Sequence, residues 1–358
     1  MEMTSFLKIL YTNNSKLNEK LIYILRYCAL NLFKIYNIKL EFVHINKQVF
    51  EEYVKNNIIQ EKYKSLICGL DYKSKIIVDT LLNRLLELEK FIYSYKLSVN
   101  ELKDLSKINK YLGFVNYNDT SFSPDFYKNV FPGFSNYETS VFKFHHGLSI
   151  MDKNIVNYLK NKDCIDGGGF EFDSAAIFSS HYPFNKVYSF EIDNLNFERG
   201  SKIIGKNYTH LNNIVMIKKG LWNNLEKAKV NSSGDMSSSI EISDQAEIEL
   251  ITIDSFVKEN KLELGFIKLD VEGAEYNAIL GAKETIKSQL PILSISIYHN
   301  LKDFFEIKPL IESIVPDEYN FYIRKLTPFY NFQETYLLAI PKKLNIDLKN
   351  SDNIDIYG

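Results

Sequence analysis

Cysteine is scarce in this 358-residue chain: Cys28, Cys68 and Cys164 are odd in number, far apart and in no C-x-x-C or Cys/His spacing. That excludes a disulfide framework and a zinc site, and it predicts a reducing compartment. Arginine is scarcer still for its class, since only Arg26, Arg84, Arg199 and Arg324 stand among 43 basic residues. Most positive charge therefore sits on hydrated ammonium groups rather than bidentate forks. Against 45 acidic residues the net charge is -2, which gives no broad basic field, so nucleic acid is not an expected partner. Long apolar runs are missing as well. The greasiest stretch, residues 21–40, is broken by Arg26 and Lys34, and residues 1–10 lack the layout of a secretory signal. A cytoplasmic protein without a membrane span is expected.

What is present is enough for a sizeable core: 45% hydrophobic and 14% aromatic residues, with only 15 Gly and 8 Pro. The length favours two domains. Residues 1–110 read as a helical domain. Ile77, Leu81, Leu85, Leu88, Ile92 and Tyr95 fall at three-to-four spacing along 72–97, and Leu21, Ile24, Leu25, Cys28 and Leu32 repeat the pattern earlier. A third, less regular helix is suggested by Val49, Tyr53, Ile58 and Tyr63, and 38–45 is the one strand-like interruption. Residues 111–148 form a connector rich in Asn, Ser, Pro, Gly and aromatics, too aromatic for a flexible linker and suited to wall an acceptor pocket.

From 149 to 345 short β-rich runs alternate with helices. Strands are predicted at 163–166, 186–192, 214–218, 248–253, 266–271, 293–298, 321–326 and 335–340, and helices near 174–180, 194–206, 254–260, 274–288 and 303–314. This order predicts an α/β fold, a mostly parallel Rossmann-like sheet that ends in an antiparallel hairpin. Residues 346–358 read as a tail.

Three strand ends could carry chemistry. The strand at Cys164 runs into Asp166-Gly167-Gly168-Gly169 and then a helix. Such a turn lets the backbone approach a ligand and aims free N–H groups at it, or it is simply a tight turn. The next strand ends in Glu191, 25 residues beyond Asp166, near the offset at which an acid takes ribose hydroxyls; a solvated strand-end acid is the alternative. The third, Phe266-Ile267-Lys268-Leu269-Asp270-Val271-Glu272-Gly273-Ala274-Glu275, crowds three carboxylates at one tip. A sulfonium, a metal ion or a shared proton would relieve their repulsion, and a plain acidic helix start is the other reading.

Asp166-Gly167-Gly168, Phe190-Glu191, Leu250-Ile251-Thr252-Ile253-Asp254, the block from Ile267 to Glu275, Ser296-Ile297-Tyr298-His299 and Glu334-Thr335 together resemble the ordered signature of FkbM-like S-adenosylmethionine-dependent methyltransferases. The resemblance covers about 142–341. It implies a Rossmann-like domain that moves a methyl group from S-adenosyl-L-methionine to a hydroxyl oxygen, often on a sugar or polyketide. It further implies that Asp166, Gly167, Gly168 and Gly169 line the methionine part of the cofactor, that Glu191 holds the ribose, and that Asp270 lies under the sulfonium or acceptor with Glu272 and Glu275 beside it. Two departures stand out: Phe172 where the family has glycine, a residue that could fill cofactor space, and Ile192 in place of a proline.

His299 closes an apolar strand at the same edge, and a neutral imidazole there could take the acceptor proton, with Tyr298 next to the substrate. His145 and His146 could close the acceptor pocket. Trp222 reads as core or as an adenine contact, and 231–239 as a surface loop or lid. The expected activity is O-methylation of a small-molecule or glycan acceptor, most plausibly a sugar in a surface glycan or its precursor, with Asp270 or His299 as base. No residue is assigned as a metal ligand, although a carboxylate-bound divalent cation is an alternative activator of the hydroxyl. The rival readings are a nicotinamide-dependent oxidoreductase and a degenerate, non-catalytic binding module.

Overall fold

Among the described residues eleven strands form: β1 (Asp163–Gly167), β2 (Val187–Phe190), β3 (Ile214–Ile217), β4 (Gly220–Leu221), β5 (Glu226–Asn231), β6 (Ser239–Ile242), β7 (Ile248–Ile251), β8 (Leu264–Leu269), β9 (Ile292–Ser296), β10 (Tyr319–Lys325) and β11 (Thr335–Pro341). The computed structural model describes residues 58–79, 81–82, 124–231, 239–242, 248–326, 333–346 and 348. The predicted helix at 21–32, the strand-like 38–45, most of the 72–97 helix, connector residues 111–123, loop residues 232–238 and tail residues 349–358 lie outside them.

Seven strands make one sheet in the order β10-β11-β9-β8-β1-β2-β3. β1, β2, β3, β8 and β9 run parallel, and β11 runs antiparallel to both β9 and β10. The expected Rossmann-like sheet with a carboxyl-terminal hairpin is therefore what the chain forms. β1, β8 and β9 are buried along their whole length, as continuous apolar runs in a parallel sheet covered on both faces should be. Alternate residues feed two separate cores: Ile165, Ile267 and Ile295 join one, and Cys164, Phe266 and Ile292 the other.

Helices cover the sheet: α1 (Ile58–Ile67), α2 (Asp173–His181), α3 (Asn194–Asn207), α4 (Ile253–Asn260), α5 (Glu275–Leu280), α6 (Lys283–Gln289) and α7 (Leu301–Ile314). Three start on side-chain caps, where Asp193, Thr252 and Asn300 accept from backbone N–H groups three residues on. The single helix predicted over 274–288 is divided at Gly281. A Cβ at Gly281 would fall 2.0 Å from the Trp222 carbonyl oxygen, so the chain turns there to pass the backbone beyond β4.

Two further features depart from expectation. The run at 248–253 forms β7 outside the main sheet, in a four-stranded sheet of order β4-β7-β5-β6 whose other strands went unrecognised. The described ends of the expected loop at 231–239 belong to the antiparallel pair β5 and β6. Leu66, Leu70, Ile77, Val78 and Leu81 pack into the first core together with Phe304, Ile323 and Leu337. Arg324 of β10 donates to both carboxylate oxygens of Asp71, at 3.1 and 2.6 Å, and ties this segment to the sheet.

Candidate active site

The loop after β1 is shaped by contact with β8. Gly168 has φ +78°, and a Cβ there would lie 1.7 Å from the Asp270 carbonyl oxygen, so only glycine passes. The N–H groups of Gly168 and Gly169 both donate to the Phe190 carbonyl, at 3.0 and 2.8 Å. Lys268 secures the loop from the other side. Its Nζ donates to the carbonyls of Gly167 (3.0 Å) and Gly168 (2.6 Å) and lies 3.1 Å from Asp166. The Ser189 hydroxyl donates to the second Asp166 oxygen at 2.5 Å. Both Lys268 and Asp166 are buried. Burial opposes the Lys268 ammonium, but Asp166 and then Asp270 outweigh it and hold its pKa above the ordinary lysine value.

Glu191 follows β2 and turns its carboxylate back to the loop, accepting from the N–H of Phe170 at 2.7 Å and of Asp193 at 2.6 Å. Burial nonetheless pushes its pKa up to about 7, with those two hydrogen bonds working against the rise. Phe172 caps α2 at φ 63°. Its ring is fully buried and meets Phe197 edge-on at 5.4 Å, so it fills the space between α2 and α3 and leaves the ligand side of the loop free.

Past β8, the Tyr298 hydroxyl is 3.2 Å from Asp270 and 3.2 Å from Glu334, and the Tyr336 hydroxyl is 2.9 Å from Asp270 and 3.2 Å from Glu334. Each hydroxyl has one proton, so it can donate to one of the two carboxylates at a time. Burial raises the Asp270 pKa, but His299, Lys268 and His146 outweigh it and hold the group below its ordinary value. Glu334 moves the opposite way, raised by burial and by Asp270. Glu275 reaches back from α5 to accept from the N–H of Val271 (2.7 Å) and Gly273 (2.9 Å), which braces a turn where Glu272 and Gly273 have φ of 54° and 95°. His299 lies beneath, with Nδ1 2.9 Å from Glu275 and Nε2 3.4 Å from Glu272 and 3.5 Å from Asp270. Burial disfavours its charged form, yet Glu275, Glu272 and Asp270 outweigh burial and raise its pKa well above the ordinary value. The neutral imidazole expected at this tip does not fit three surrounding carboxylates.

These strand ends share one open cavity, at the sheet edge where small-molecule sites of α/β folds collect. Gly168, Glu191, Asp270, Glu272, Tyr298 and His146 are on its wall. Asp166 stands behind it as the counter-ion of Lys268, and Gly167 and Gly169 are also off the wall. Glu275 and His299 lie behind the turn rather than in the opening. His145 is turned away, its Nδ1 2.8 Å from the Tyr182 hydroxyl. His146 is held by Ser174 at 2.7 Å and Tyr336 at 3.2 Å, and burial drives its pKa well below the ordinary value. The connector contributes Asn136, Glu138 and Val141, whereas its Phe131, Phe134, Phe142 and Phe144 are core. Trp222 is half-buried and off the wall.

Sequence reasoning gave no role to Lys268, Glu138, Glu334 or Tyr336. A lysine inside the apolar run Phe266-Ile267-Lys268-Leu269 was the available signal. His146, Phe170, Glu272 and Glu334 all line the cavity with positive φ, a conformation costing of order 1–3 kcal/mol each that collects at functional sites.

Residues 164–332 match the family model described as methyltransferase FkbM domain, which bears out the resemblance read from the motifs. Among solved structures, the chain is similar to a methyltransferase FkbM of Methylobacillus flagellatus KT, with TM-score 0.50 and 19% identity over 81% of this chain and 60% of that one. The alignment thus spans less than two thirds of that protein, and at this identity it speaks for the fold. An rRNA methylase of Streptococcus thermophilus aligns with TM-score 0.36 and 12% identity over 57% of this chain and 99% of its own. A methyltransferase of Geobacter sulfurreducens aligns with TM-score 0.36 and 11% identity over 66% and 96%. No curated protein matches the sequence.

Proposed function

We propose, from the match of residues 164–332 to the methyltransferase FkbM domain model, that the protein is an S-adenosylmethionine-dependent methyltransferase acting on a hydroxyl oxygen, in a sugar of a surface glycan or its precursor. One observation carries the reading: Gly168, Glu191 and Asp270, from the ends of three adjacent parallel strands, face a single cavity. That edge of an open α/β sheet is where such folds bind ligands. In this reading the loop backbone at Gly168 receives the methionine part, Glu191 accepts from the ribose hydroxyls, and Asp270 accepts the proton of the acceptor hydroxyl. The cofactor supplies an electrophilic methyl group, so the protein's task is to align the acceptor and hold that proton.

The charge of the wall supports it. Glu138, Asp173, Glu191, Asp270, Glu272 and Glu334 face two lysines, of which Lys268 is paired with Asp166 and Lys219 with Glu249. Carboxylates attract a sulfonium and accept hydrogen bonds from a polyol, which favours a sugar acceptor. The same wall disfavours the pyrophosphate of a nicotinamide dinucleotide, which weighs against the oxidoreductase reading. Phe172, packed away from the cavity, removes the main argument for a degenerate module. Calorimetric titration with S-adenosylhomocysteine tests the proposal: binding is expected, with at least a tenfold loss in Glu191→Ala. Binding of NADH in its place would reverse the assignment. Mass spectrometry of cell-surface glycans, with and without the protein, tests the acceptor.

A further inference from the structure

The turn after β8 and the tip of β9 bring Asp270, Glu272 and Glu275 around one imidazole, with Asp303 behind: its Oδ1 accepts from the N–H of Tyr276, next in chain to Glu275. One ligand atom from each of Asp270, Glu275 and His299 lies within 4.8 Å of the others. The His299 side chain is 5% exposed, and neither ring nitrogen makes a hydrogen bond although oxygens stand at 2.9, 3.4 and 3.5 Å. A buried imidazole without a directed hydrogen bond is unusual. An ion would replace the proton on one ring nitrogen, and the carboxylates gathered there would supply its other ligands. Charge points the same way. Three carboxylates around one imidazole stay negative whether or not the ring is protonated, and the nearby Lys268 is committed to Asp166. A dication would balance them.

We propose that Asp270, Glu275 and His299 bind a divalent metal ion at the edge of the cavity. One imidazole nitrogen with carboxylate oxygens suits Mn²⁺, Fe²⁺ or Zn²⁺ better than the all-oxygen preference of Ca²⁺ or the thiolate preference of Cu⁺. Glu275 can brace the turn and ligate together, because each carboxylate oxygen has a second lone pair. The role of the ion rests on the methyltransferase reading: it adjoins Asp270 and Glu272, both on the cavity wall, where a Lewis acid makes an acceptor hydroxyl easier to deprotonate.

The test uses the full chain, stripped with a chelator and titrated with Mn²⁺ alone while the electron paramagnetic resonance of the free ion is followed. One ion per chain is expected, with binding at least tenfold weaker in both His299→Ala and Asp270→Asn. Failure of the wild type to bind Mn²⁺ at millimolar concentration, or unchanged affinity in either folded variant, overturns the site. Circular dichroism identifies a variant that does not fold, in which case the other decides. S-adenosylhomocysteine titration of the same stripped sample separates the two readings. Cofactor bound without Mn²⁺ binding sinks the metal site alone, and Mn²⁺ bound without cofactor binding supports the site while sinking the cofactor assignment.

Discussion

Lys268→Met is the sharpest perturbation of the loop that shapes the cavity. It keeps the length and apolar stem of the side chain and removes only the ammonium. Asp166, 0% exposed, is then a buried carboxylate without its cation, and the Gly167 and Gly168 carbonyls lose donors at 3.0 and 2.6 Å. Breaking one side of a buried pair costs about 3–5 kcal/mol, and for a domain of this size each kcal/mol lowers Tm by about 2–4 °C. Urea denaturation followed by circular dichroism should register the loss, and a melting scan a fall of roughly 6–20 °C. The loop should also lose its anchor, so S-adenosylhomocysteine should bind at least tenfold more weakly at a temperature where the variant is folded. Asp166→Asn in the same background should recover about 1–3 kcal/mol relative to the sum of the single losses, because the orphaned charge is gone. A loss below about 1 kcal/mol in Lys268→Met, or strict additivity in the double variant, would show that the Lys268 ammonium does not hold Asp166 and the loop.

Gly168→Ala should abolish cofactor binding in calorimetry and destabilise the fold by more than about 1 kcal/mol, since the methyl would meet the Asp270 carbonyl at 1.7 Å; retained affinity would show that the loop yields. Glu191 has its pKa raised to about 7 in the folded protein, above its unfolded value, so the folded state keeps this proton longer. Its burial therefore costs little below about pH 4 and increasingly more as pH rises towards 7, levelling off beyond. Glu191→Gln should gain about 2–3 kcal/mol on wild type over that window, read from denaturation at a series of pH values, and a flat difference would contradict the shift. Asp71→Ala should cost about 2–3 kcal/mol by stranding Arg324, which is 8% exposed, with faster amide exchange in 72–79 before the sheet opens; equal protection of both would deny the tie.

The parallel sheet was legible because its strands are short apolar runs, buried on both faces, set between helices with recognisable caps. The turns at Gly168, Glu191 and Asp270 were legible for a related reason: a glycine or a carboxylate at the end of such a run has few roles. Strands β4, β5 and β6 escaped notice because β4 has two residues and β5, Glu-Lys-Ala-Lys-Val-Asn, carries the polarity of a loop. The aromatic content of the connector speaks against a flexible linker, but composition cannot say which way rings point. Phe134 stacks on Tyr208 at 5.4 Å in the core, and the cavity receives Glu138 instead. His299 illustrates a further limit. Its place at the strand tip was readable, whereas its carboxylate neighbours on both sides arise from a turn at positive φ that no spacing rule announces.

A net charge of -2 looks uninformative until the topology is taken into account. The carboxyl ends of parallel strands bring Glu191, Asp270 and Glu272 to one edge, where Glu138 of the connector, Asp173 at the start of α2 and Glu334 just before the antiparallel β11 join them on one wall. Such crowding is costly, and the fold relieves it by keeping several of them reluctant to ionise. Burial raises Asp173 and Glu191 to about 7 and raises Glu138 and Glu334 as well, while Asp270 alone is pushed down. Asp270 thus stays ionised while burial favours the protonated forms of Asp173 and Glu191, so a cation entering the cavity would draw further charge towards it and a neutral ligand would not. A charged sulfonium and the neutral thioether it becomes differ in that charge and in one methyl group. The arrangement would therefore hold the reactive cofactor more tightly than its spent form, an asymmetry that favours release once the methyl group has gone.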